Sequence, residues 1–227
     1  MNAKEQNINQ WDFQDIFMSI TSMVAVMVLY IGFARFFAWD SNLFTYLIIT
    51  QLIFYLISTV AVFYFVIFKK SNSVKGFLGI KNPSIMLQEG LKVFLLIILA
   101  TTLIDYFFEI FAHIKSADVY ANVDKNLLRS MSFIGVFFAP FAEEIFFRGF
   151  LQPVFVRKFG LNFGIILITL VFSLLHVLYI NNISALLGII TVGLILSFAK
   201  EKTGSLMPCI IAHFLNNLTA VICMNLN

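Results

Sequence analysis

A chain of 227 residues that is 60% hydrophobic and only 12% charged carries more apolar surface than a water-soluble domain of that size can bury. Its net charge of +3 is small, and no basic cluster is interleaved with aromatics, which excludes nucleic acid as a partner. The expected class is all-α, a polytopic helical bundle in a lipid membrane.

From the N-terminus, residues 1–15 are polar and slightly acidic, without the basic start or small-residue cleavage site of a secretory signal. A window of about 20 residues, the length of helix that crosses a bilayer, then finds seven apolar segments: 16–35, 43–68, 91–112, 131–152, 161–180, 183–200 and 205–224. Residues 71–90 carry Gly76, Gly79 and Pro83 among scattered apolar side chains and are expected to lie along the interface as a linker. The chain thus divides into an N-terminal pair of transmembrane helices, 1–70, and a larger membrane unit, 71–227. There is no internal repeat or low-complexity tract. Trp11 and Trp39 sit near segment ends and are expected as interfacial anchors. Cys209 and Cys223 would lie about 21 Å apart along one helix, too far to bond, and are expected as small buried side chains.

Lysine and arginine set the orientation. With the N-terminus in the cytoplasm, eleven of them, including Lys69, Lys70, Arg148, Arg157 and Lys158, fall on the inner side, and Arg35, Lys115, Lys125 and Arg129 do not. That asymmetry predicts a multi-pass protein of the cell membrane with a cytoplasmic N-terminus and, for seven spans, an outward C-terminus.

The sharpest signal lies in segment 131–152, where Glu143, Glu144 and Arg148 stand in a run of Phe, Ile and Ala. A charge at the centre of a membrane helix costs about 2.5–3.5 kcal/mol on insertion scales, so such residues face the bundle interior and mark a functional site. Glu144 and Arg148 are spaced i,i+4 in the order that supports an intrahelical ion pair. Glu143 is rotated by about 100° from Glu144 and is expected to point elsewhere, free for chemistry. The same spacing puts Phe172 with His176 on one face, and His213 with Asn217 on another. Helical rise brings Glu143, His176 and His213 to a similar depth. Asp105 and Glu109 share a face of the third segment, with a water path, an end cap and proton binding all open to them. Taken singly, each feature has a plainer reading: a structural ion pair for Glu144 and Arg148, and a satisfied interior side chain for either histidine.

Together these motifs resemble a family. E-E-x-x-x-R (Glu143, Glu144, Arg148), F-x-x-x-H (Phe172, His176) and H-x-x-x-N (His213, Asn217), in this order on hydrophobic helices, look like the CPBP intramembrane proteases. That family includes the CAAX prenyl endopeptidases and bacteriocin-processing or abortive-infection proteins. Gly149-Phe150-Leu151-Gln152-Pro153 after the first motif and Thr203-Gly204-Ser205-Leu206 before the third also fit. The resemblance covers about residues 75–222 and marks 71–227 as a catalytic membrane domain.

Peptide hydrolysis suits these residues, and the resemblance implies the same division of roles. Glu143 would act as general base on a water that His176 helps to hold. His213 and Asn217 would donate to the oxyanion of the tetrahedral intermediate. Glu144 and Arg148 would fix the orientation of Glu143. Glu143, His176 and His213 also form a two-His, one-carboxylate set for Zn2+ or another divalent metal, and a glutamate acting without metal is the equal alternative. The expected function is therefore an intramembrane endopeptidase of a membrane-associated peptide or a lipidated, membrane-anchored protein, with membrane lipid as its surroundings. Two other classes stand beside it. A non-catalytic bacteriocin self-immunity or scaffold protein would tolerate loss of Glu143 or His176. An ion-coupled transporter would show paired repeats, which this chain lacks.

Overall fold

The computed structural model describes residues 10–36, 43–111, 125–176 and 183–226, and all regular structure among them is helical. In chain order the elements are α1 (Phe13–Phe36), α2 (Leu43–Phe63) running into a π-helical turn (Tyr64–Lys69), α3 (Val74–Leu78), α4 (Pro83–Phe111), α5 (Lys125–Phe137), α6 (Ala139–Glu143), a π-helical stretch (Glu144–Leu151), α7 (Gln152–Phe159), α8 (Leu161–Leu174), α9 (Ile183–Thr203) and α10 (Met207–Leu226). Four helical stretches among the described residues are long and apolar enough to cross a membrane: Phe13–Arg35, Tyr46–Lys69, Val74–Phe111 and Ile183–Thr203. Leu161–Leu174 and Met207–Cys223 are shorter apolar helices. The protein is an all-α integral membrane protein, and its segments are less uniform than the hydropathy pattern predicts. Segment 131–152 is not one helix, because Pro140 interrupts it; a proline lacks the N–H that a continuing helix needs.

Residues 71–90 are not a bare linker; they form α3 and the opening turns of α4. Ser73 caps α3 by accepting from Gly76 N at 3.0 Å, and Gly79 ends it in the left-handed region at φ 64°. A Cβ at Gly79 would meet Ser205 Cα at 2.7 Å. Leu206 N donates to Leu78 O at 3.0 Å, which pins α3 to the turn between α9 and α10 and buries Phe77 and Leu78. α4 then starts at Pro83, with Asn82 Oδ1 accepting from Ser84 N at 2.9 Å. Its opening turns carry Gln88, Glu89 and Lys92, which lower the hydropathy without breaking the helix.

α4 packs along α9 and α10, and α7 packs against α8. In a membrane, lipid is as apolar as the helices, so close van der Waals contact between small residues drives their association. Gly164 on α8 is such a contact, since a Cβ there would sit 2.8 Å from Val156 Cα on α7. The larger buried cluster gathers Trp11, Val62, Phe77, Phe150 and Phe172 from five parts of the chain. Trp11 is not an interfacial anchor. It is 5% exposed, stacks on Phe150, and its Nε1 donates to Phe150 O at 2.7 Å. The indole N–H thus satisfies a carbonyl of the π-helical stretch. Trp39 lies outside the described residues. Asp15 is buried between Lys69 at 2.7 Å and Lys70 at 3.0 Å, tying α1 to the end of α2. Arg148 is buried in the bundle and leaves the loop charges that set orientation. Cys209 is buried and Cys223 exposed, both as free thiols.

Candidate active site

The interruption in segment 131–152 positions the site. α5 ends at Phe137, Phe138 bends the chain, and Pro140 sits in the first turn of α6. After Glu143 the helix widens into its π form over Glu144–Leu151, a distortion that recurs at functional sites. Glu144 is fully buried there. Its Oε1 accepts from Arg148 Nη1 at 3.1 Å and from His213 Nδ1 at 2.9 Å. Arg148, 1% exposed, also gives Nη2 to Gly193 O at 3.3 Å and lies 4.4 Å from the Phe172 ring centroid. The absence of a side chain at Gly193 lets these groups approach: a Cβ there would meet Thr169 Cγ2 at 3.0 Å and Phe172 Cδ1 at 3.3 Å. One turn on, Gln152 Nε2 donates to Ser197 O at 3.0 Å and Glu201 Oε1 at 2.9 Å. A polar ladder thus links the π-helical stretch and α7 to α9.

Beside the ladder is a cavity of about 520 Å3 lined by Glu143, His176, His213 and Asn217. Part of its wall is made of small side chains, Ala139, Ala185, Gly188 and Ala220. The four predicted residues come from α6, the turn after α8, and α10, so the bundle brings together what the sequence spreads over 75 positions. Residues 125–219 match the family model described as type II CAAX prenyl endopeptidase Rce1-like. That stretch of the chain is similar to the CPBP/CAAX protease family. The matched Rce1-like region contains all six predicted site residues and leaves out α1 to α4. Neither the curated proteins nor the solved structures give a match.

Within the Rce1-like region, the placement of several residues differs from the sequence expectation. Glu143 and Glu144 do not diverge; they meet the same imidazole from two sides. Glu144 takes Nδ1, and Glu143 Oε2 faces Nε2 at 4.0 Å, beyond hydrogen-bond range. His176 lies past the end of α8 at Leu174, in a turn, with Nδ1 bonded to Phe172 O at 2.9 Å. Asn217 Nδ2 donates to Gly135 O at 2.9 Å, so it also ties α10 to α5. Asp105 accepts from Ser184 on α9, and Glu109 is exposed on the same helix. As to a metal, the donor types at Glu143, His176 and His213 suit a divalent ion. Among the described residues no group of three His, Cys, Asp or Glu side chains is placed to hold one.

Two cavity residues escaped the sequence reading. Tyr55 on α2 donates to Glu143 Oε1 at 3.3 Å, and Gln51, one turn before it, donates to the Tyr55 hydroxyl at 3.4 Å. Their i,i+4 spacing in an apolar helix is the signal that singled out Phe172 with His176 and His213 with Asn217.

Proposed function

We propose that the protein is an intramembrane endopeptidase that hydrolyses a peptide bond of a membrane-associated protein or peptide, with Glu143 as general base. One observation carries this reading. Glu143 Oε2 is buried, has no hydrogen-bond partner, and faces Nε2 of a histidine whose other nitrogen is already held. A carboxylate oxygen only accepts, so the hydrogen of the Glu144–His213 bond sits on Nδ1, and the neutral ring offers Nε2 as a second acceptor. Two acceptors 4.0 Å apart can take both O–H groups of one water at about 2.8 Å each. Its lone pairs then face the cavity, where a scissile carbonyl would lie.

In this reading the water oxygen attacks the carbonyl carbon and Glu143 takes the water proton. Glu143 then returns that proton to the leaving amine as the C–N bond breaks. Glu144, neutralised by Arg148, holds the His213 ring and its tautomer. Asn217 has a second amide N–H beyond the one given to Gly135, and that hydrogen stabilises the oxyanion. His213 donates to an oxyanion only when protonated, a narrower part than the sequence assigned it. His176 borders the water, and no step runs through a metal. The protein would work in the cell membrane with its N-terminus in the cytoplasm. The apolar cavity wall and the family description favour a lipidated or membrane-anchored chain as substrate.

The test uses purified protein in liposomes with a quenched-fluorescent farnesylated CAAX peptide and its unprenylated counterpart, alongside peptidomics of membranes with and without the active chain. Wild type should release a fragment and Glu143→Gln should not. Full cleavage by Glu143→Gln would sink the assignment. Elemental analysis of the active preparation decides the metal question separately.

A further inference from the structure

We propose that α2 completes the site, with Tyr55 as a positioning residue for Glu143 and the side-chain carbonyl of Gln51 as the acceptor for a backbone N–H of the bound peptide. This inference rests on the hydrolytic reading above. Both residues lie well before residue 125, where the family match begins, and belong to a helix outside it.

Two other polar side chains of α2 give the contrast. The hydroxyls of Thr50 and Ser58 bond to carbonyls of their own helix, Tyr46 O at 2.7 Å and Tyr55 O at 2.9 Å. Both hydroxyls are thus satisfied within their own helix, and Thr50 Oγ1 has a further contact with the Tyr30 hydroxyl of α1 at 3.5 Å. Gln51 and Tyr55 instead reach into the cavity, from α2 to α6. The donors run in one direction: Gln51 Nε2–H to the Tyr55 oxygen, and Tyr55 O–H to Glu143 Oε1. The amide fixes the phenol's rotor, and the phenol fixes one carboxylate oxygen. The other oxygen, Oε2, then stays turned toward His213 Nε2. A carboxylate on a short α6 segment beside a bend has few other restraints on its rotation.

Gln51 Oε1 is left over. It is buried, has no hydrogen-bond partner, and belongs to a cavity-lining side chain. An amide oxygen kept from water without a partner costs free energy, so a donor from the occupant is the natural complement. The occupant of a peptidase cavity brings such donors as backbone N–H groups. Next to the base, an acceptor of this kind would hold an extended peptide in register.

The experiment compares Tyr55→Phe, Gln51→Leu and the double variant in liposomes, using the farnesylated CAAX peptide with Glu143→Gln as blank and thermal unfolding in detergent as the folding control. Tyr55→Phe should lower kcat about 10–100-fold with KM unchanged, as loss of a hydrogen bond to a charged group does. Gln51→Leu should raise KM about 3–10-fold and also lower kcat. In the Tyr55→Phe background its KM effect should persist and its kcat effect vanish, because no hydroxyl remains to be oriented. Wild-type kcat in Tyr55→Phe, or unchanged KM in Gln51→Leu, overturns the inference while the protease reading stands. A readout without turnover separates the two further. The carboxylate infrared band should shift between wild type and Tyr55→Phe, and this shift should disappear when Glu143 is Gln. No shift overturns the Tyr55 role even if no peptide is ever cleaved.

Discussion

Two neighbouring carboxylates, Glu143 and Glu144, occupy opposite kinds of environment. On the Glu144 side the packing is close: Oε1 is held by both Arg148 and His213, Oε2 is shut in without a hydrogen-bond partner, and Gly193 leaves space for nothing larger. On the Glu143 side the neighbours are a cavity, one phenol at 3.3 Å and an imidazole nitrogen at 4.0 Å. A buried charge that is paired and hydrogen-bonded supports structure. A buried carboxylate oxygen with room beside it is available for chemistry. The imidazole of His213 joins the two sides, with one nitrogen fixed by the packed acid and the other turned to the reactive one.

Breaking each side should give a different failure. The largest effect is expected for Glu143→Gln: a rate loss of about 10²–10⁴ from removing the base, with unfolding temperature unchanged. Single-turnover cleavage and thermal melts on the same sample check both halves. Arg148→Ala should do the reverse first, destabilising the protein by about 3–5 kcal/mol by leaving Glu144 buried without its cation. Membrane abundance and unfolding in SDS report this. Combining Glu144→Gln with Arg148→Met should restore abundance above Arg148→Ala, yet not cleavage, because His213 loses the carboxylate on Nδ1. If abundance and cleavage return together, the two sides are not distinct.

A smaller effect sharpens the packed side. Gly193→Ala would press a Cβ on Thr169 at 3.0 Å and Phe172 at 3.3 Å, an overpacking cost of about 1–3 kcal/mol. The smallest concerns the surface. Glu89 and Lys92 form an i,i+3 pair at 2.6 Å, but Lys92 is 67% exposed, so Lys92→Ala should change stability by about 0.5 kcal/mol or less. A melt shift as large as that of Arg148→Ala would mean that distance alone, not burial, sets the value of an ion pair here.

Much of this protein is legible in its sequence. Hydropathy alone fixes an all-helical membrane bundle, because lipid leaves no other solution for the backbone of an apolar chain without strand alternation. The cost of charge in hydrocarbon marks Glu143, Glu144 and Arg148, and i,i+4 spacing pairs His213 with Asn217. The start of α4 was also there, in Asn82-Pro83-Ser84, but a hydropathy window averages it away. Tertiary structure alone decided the rest. Which acid meets which nitrogen of His213 depends on where α10 packs that ring between them, which no residue periodicity encodes. Trp11 goes inside because a carbonyl of the π-helical stretch lies within reach of its N–H, 139 residues away. Tyr55 and Gln51 join the site for a similar reason: only the packing of α2 on α6 brings a phenol to Glu143 across 88 residues. Local rules set which residues need partners, and three-dimensional packing chooses the partner.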